Sequence, residues 1–164
     1  MPHPLSLVIV QNGEIVAEGY WSLGGSLLYR AFKGDENSSG HIIEDVASLQ
    51  KSLIAMLAAM AVEKDMLNLS EPVSTYLGVG WSDIHPDQEA EIQVAHLLAM
   101  TSGLGTSLEY EAAPGEVWRY NTNAYSQLVP LLETVTSLDI SELTNKWLVS
   151  PLGMKDSGWQ RRFW

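Results

Sequence analysis

From about Ser48 to Lys64 the chain reads SLQKSLIAMLAAMAVEK, apolar on nearly every side of a helix. A surface helix needs only one apolar stripe, whereas one that is apolar all round has to be enclosed. The segment therefore predicts a buried central helix, and the remaining residues must cover it. At 164 residues and 46% hydrophobic, the chain has the length of one domain and enough apolar content for a core. The heart of the helix, LIAMLAAMAV, is followed by EKD and falls well short of the roughly 18 apolar residues that a membrane span needs.

The cover is mostly helical in pattern. Pro72 can open a short helix in LNLSEPVSTYL, EIQVAHLLAM (91–100) predicts another, and Ser102-Gly103 closes it with a turn. A helical period resumes near Asn123, with Pro130 expected to kink it, and Asp139 followed by Glu142 forms a capping-box pattern. At the start, LSLVIV and EIVAEGYW flank Asn12-Gly13, the strongest short hairpin signal, because both turn residues must accept positive φ. Residues 22–45 read as irregular, with GDENSSG (34–40) as an exposed loop. The expectation is a single α/β (α+β) domain over 1–164, with a sheet hairpin in 1–22 and a mainly helical part in 46–164.

Charge narrows the partners. Nine Lys and Arg stand against 20 Asp and Glu, a formal net charge of −11. Nucleic acid and anionic membranes both require clustered positive charge, so neither is expected as a partner. There is no cysteine, which excludes disulfides and thiolate chemistry. The four histidines have no metal-ligand spacing, so neither metal nor cofactor is expected, and His96 reads as structural. The opening MPHPLSLVIVQNGE has no basic n-region, which predicts a soluble, cytoplasmic protein without an export signal.

At the mouth of the buried helix, Ser48 and Lys51 are three positions apart. With 17 serines and 5 lysines, a Ser-x-x-Lys string arises by chance in roughly one such chain in two, so its setting matters more than the string. Residues three apart share a helix face. Burial and the positive end of the helix dipole disfavour the ammonium there, and a neutral lysine can take the serine proton and make it a nucleophile. Backbone N–H groups at the helix start can stabilise an oxyanion. A capping serine and a lysine reaching to solvent would give the same string.

Four segments in series carry a resemblance: VASLQKSLIAMLAAMAVEKDMLNLSEPVSTYL, IQVAHLLAMTSGL, PGEVWRYNTNAYSQL and PLGMKDSGW. In order and spacing they resemble the serine β-lactamase and penicillin-binding-protein-like superfamily, above all its class C-like branch of esterases, peptidases and amidases, including nylon-oligomer hydrolases. The resemblance runs from about residue 5 to 159. It implies the β-lactamase/transpeptidase-like fold, with the hairpin belonging to an antiparallel sheet. It also implies Ser48 as acylated nucleophile, Lys51 as proton acceptor and Tyr120 as proton shuttle, acting on a small ester or amide. The family's second motif usually reads Tyr-Ser-Asn or Tyr-Ala-Asn; here it is Tyr120-Asn121-Thr122, so Asn121 and Asn123 are the candidates for holding a substrate carbonyl. The family's third motif and its C-terminal strands lie beyond the residues of this chain. The alternative expectation is therefore a non-catalytic half-domain that self-associates, or takes a complementary chain, through an open sheet edge.

Overall fold

The computed structural model describes residues 6–21 and 33–160. They form two compact units that divide between Ser48 and Leu49.

In the first unit, strands β1 (Ser6–Gln11) and β2 (Glu14–Tyr20) pair antiparallel around Asn12 and Gly13, whose φ values of 54° and 81° are those that a two-residue hairpin turn demands. A bulge between Ile9 and Val10 shifts the register, so that Val10 faces Ile15. The polar stretch expected to be a loop instead begins a second antiparallel pair, β3 (Lys33–Glu36) with β4 (Ile42–Glu44). The turn between them is tied by the Asn37 side chain, whose Oδ1 accepts the N–H groups of Ser39 and His41, with Gly40 at φ 75°. Period-2 patterning is faint over so few residues, which is why turn chemistry alone was legible there. Tyr20 stacks on His41 at 3.7 Å between centroids, joining the two pairs.

The second unit contains the core. Helix α1 (Gln50–Glu63) buries Ile54, Leu57, Ala58 and Ala61. Around it lie α2 (Ser74–Leu77), α3 (Pro86–Glu89), α4 (Val94–Leu98), α5 (Thr122–Ser126), α6 (Leu128–Thr136) and α7 (Ile140–Thr144), the last running into a π-helical turn, Asn145–Val149. Leu128, Leu131 and Leu132 of α6 are fully buried in the same cluster. The end of α1 is closed by Asp65 in the left-handed region, with Met66 N–H on the Ala61 carbonyl and Asp65 N–H on that of Val62, a Schellman arrangement.

Two helix expectations change in detail. The 91–100 helix is shorter, because the Gln93 side chain and His96 Nδ1 cap it at Val94. Pro130 does not kink a long helix. The break falls earlier, at Gln127, and Pro130 sits in the first turn of α6, where a missing N–H costs no hydrogen bond. Asp139 caps α7 as expected, accepting from the N–H groups of Ser141 and Glu142. No helix among the described residues is long and apolar enough to cross a membrane.

Candidate active site

Ser48 lies in the 3-10 turn Ala47–Leu49 that runs into α1, and it is exposed. The residue before it, Ala47, has φ 48°, a left-handed conformation that costs a residue with a Cβ roughly 1 kcal/mol. The Asp45 carboxylate accepts the Ala47 N–H at 2.6 Å and holds that bend. Backbone strain of this kind recurs where a side chain has to be aimed.

Lys51 stands in the first turn of α1, half-buried. Its Nζ lies 5.1 Å from the centroid of the Tyr120 ring and 5.9 Å from that of Tyr125. Both distances are within cation–π range. Lys51 and Tyr120, far apart in sequence, are thus neighbours, and Tyr120 is half exposed, 51%. Folding delivers Tyr120 there through a braced loop. Gly115 N–H donates to the Thr101 carbonyl and Arg119 N–H to that of Met100, while the Gly103 carbonyl takes the N–H groups of Glu111 and Ala112. The Arg119 guanidinium forms an ion pair with Glu111 across the loop.

The two asparagines are placed differently. Asn121 is buried and caps α5: its Oδ1 accepts from Ala124 N–H, and its Nδ2 donates to the carbonyls of Leu104 at 2.9 Å and Gly105 at 2.7 Å. Asn123 is exposed, and its Nδ2 donates to the Thr106 carbonyl at 2.6 Å. Both amides tie the second motif to the 104–106 segment.

Tyr125 carries a structural tie that the sequence did not reveal. Buried at 6% exposure, it donates its hydroxyl to the Lys51 carbonyl at 2.8 Å, and burial raises its pKa above the ordinary tyrosine value. Five positions after Tyr120, it lies on no simple repeat with it. Glu89 was also missed. It is 1% exposed, and its carboxylate accepts from Gly80 N–H, Ser82 N–H and the Ser82 hydroxyl. In DQEAEIQV nothing distinguishes it from its exposed acidic neighbours. A depression lined by Val62, Asp65, Leu67 and Tyr76 sits at the opposite end of α1, about 20 Å along the helix from Lys51.

Comparison with known proteins matches this arrangement to one family, described as Beta-lactamase, over residues 5–162. An uncharacterized protein of Alkalihalophilus pseudofirmus is 27% identical over 161 residues, spanning 94% of this chain and 44% of its own. Esterase EstB of Burkholderia gladioli is 25% identical over 174 residues, spanning 82% of this chain and 44% of its own. Among solved structures, FmtA from Staphylococcus aureus superposes with a TM-score of 0.70 at 19% identity, over 92% of this chain and 45% of that one. The chain thus spans less than half the length of these relatives. A match over nearly every residue, together with the shared fold, makes this chain a member of the beta-lactamase family.

Proposed function

We propose that this chain carries the nucleophilic part of an acyl-transfer site for a small ester or amide. Ser48 Oγ attacks the substrate carbonyl as Lys51 takes its proton. The tetrahedral intermediate then expels its alcohol or amine, protonated by way of Tyr120, and leaves an acyl-serine. Water, deprotonated by the same groups, releases the acid and restores the serine. Asn123, exposed beside the motif, is the amide proposed to meet the substrate. Asn121 contributes by holding the turn.

The observation that carries the reading is the Lys51–Tyr120 approach of 5.1 Å. A tyrosine serves as a proton carrier only where positive charge lies beside it, and Lys51 supplies one once it has taken the serine proton. The esterase relative favours the same substrate class. The test is intact-mass spectrometry after incubation with a fluorophosphonate. One adduct mapping to Ser48, absent in Ser48→Ala, is the expected result; adducts on both proteins, or on neither while folded, would overturn the reading.

A second reading has its own support: the fold and site are completed by another chain. The hairpin exposes apolar side chains on both faces, with Val8 at 48% and Val10 at 60% on one face of β1 and Leu7 at 48% and Ile9 at 45% on the other. Two-sided apolar strands suit the interior of a larger sheet rather than a free ribbon.

A further inference from the structure

A lysine side chain is long and has many rotamers, so an amine that must act at one point has to be held there. Tyr125 grips Lys51 at both ends. Its hydroxyl donates to the Lys51 backbone carbonyl at 2.8 Å, and its ring lies 5.9 Å from the Lys51 Nζ. The grip is itself rigid, because Tyr125 is buried beside Ala124 and Leu128 on the segment that Asn121 caps. Burial keeps the Tyr125 hydroxyl protonated, hence a donor, through the neutral range.

The two tyrosines around Lys51 therefore differ in kind. Tyr120 is half exposed, whereas Tyr125 is buried with its proton committed to a backbone carbonyl. We propose that Tyr125 is a positioning residue which fixes the backbone and ammonium of Lys51 so that the amine faces Tyr120. This rests on Lys51 acting in the proposed site, yet the positioning itself can be read without catalysis.

The experiment is NMR of the chain after reductive methylation of its lysines with carbon-13, with Lys51→Arg identifying the Lys51 signal. Ring currents should place that signal upfield of those of the exposed Lys146 and Lys155. Lys64, whose Nζ lies 5.4 Å from the Trp147 ring, is an internal control for folding. In Tyr125→Leu the Lys51 signal should move toward the exposed lysines while that of Lys64 stays. Tyr125→Phe, which keeps the ring and loses the hydroxyl, should shift it less. In unmethylated protein Tyr125→Phe should slow labelling of Ser48 by a p-nitrophenyl ester about tenfold, short of the roughly hundredfold that a full 1 Å misplacement of a reacting group can cost, because the ring stays in place.

A Lys51 signal unchanged in Tyr125→Leu, with Lys64 also unchanged, would overturn the proposal. Should Tyr125→Leu unfold, which collapses the Lys64 signal too, Tyr125→Phe decides: an unaltered Lys51 signal and labelling rate would overturn it. A wild-type chain that never labels, but whose Lys51 signal responds to Tyr125, would leave the positioning standing and remove the hydrolase reading.

Discussion

The Glu89 carboxylate accepts the Ser82 hydroxyl at 2.7 Å and, through the same pair of oxygens, the N–H groups of Gly80 and Ser82. Glu89 ends α3 yet lies inside the second unit at 1% exposure, so it acts as the binding post of the 80–82 loop. Removing it leaves three donors without a partner. Glu89→Ala should cost about 3 kcal/mol, and Glu89→Gln less, because the amide oxygen still accepts. Urea unfolding of the three proteins measures the difference; equal midpoints would mean that the loop is held by other contacts.

Asn121 makes a sharper case. Its Nδ2 faces two carbonyl oxygens while its Oδ1 faces an N–H. Asn121→Asp keeps the shape but sets a carboxylate oxygen against the Leu104 and Gly105 carbonyls. It should therefore destabilise more than Asn121→Ala, which itself should cost about 2 kcal/mol through the lost cap. Thermal unfolding would rank them. The opposite order would imply that the amide is turned over in solution.

Legibility in the sequence followed the range of the interactions involved. The hairpin turn was readable because Asn12-Gly13 specifies a backbone conformation by itself. The α1 helix and the Asp139 cap were readable for the same local reason, periodicity and short-range hydrogen bonding, but the all-round enclosure expected of α1 is not met: Ile54, Leu57, Ala58 and Ala61 are buried while Met56 is 50% exposed. The Lys51–Tyr120 approach was expected only through family resemblance, since no local rule brings those positions together. Glu89 and the Tyr125 hydroxyl were not legible: the Tyr125 partner is 74 residues away, and Glu89, whose loop partners lie seven and nine residues back, is set apart only by burial that composition conceals. The β3–β4 pair was hidden under a polar sequence whose turn outweighs its strands.

His96 gives the second unit a dependence on pH. Its Nδ1 accepts the Gln93 N–H at 3.1 Å, closing the cap of α4, and burial lowers its pKa below the ordinary histidine value. Only the neutral ring can accept. The unfolded chain therefore takes up a proton at a higher pH than the folded chain does, and stability rises with pH across that interval. The contribution is fully present above the unfolded value of about 6.5 and is lost as pH falls through it toward the folded value. His96→Asn retains an acceptor near the Nδ1 position and does not titrate. The urea midpoint of the native chain should fall between about pH 7.5 and pH 5.5 by more than that of His96→Asn; parallel curves would show that His96 is not responsible.

The hairpin supplies the last expectation. Val10 and Ile15 are cross-strand partners beside the bulge, and both are more than half exposed. Their pairing favours the ribbon, but their apolar surface favours association with another sheet edge or face. Val10→Lys together with Ile15→Glu keeps a favourable cross-strand pair, of opposite charge, while removing that surface. Sedimentation velocity should show the native chain associating as concentration rises and the double variant remaining monomeric, with binding of a hydrophobic dye reduced in parallel. A native chain that is monomeric throughout and binds no dye would leave the hairpin with no need of a partner, and the reading of a fold completed by a second chain would fall with it.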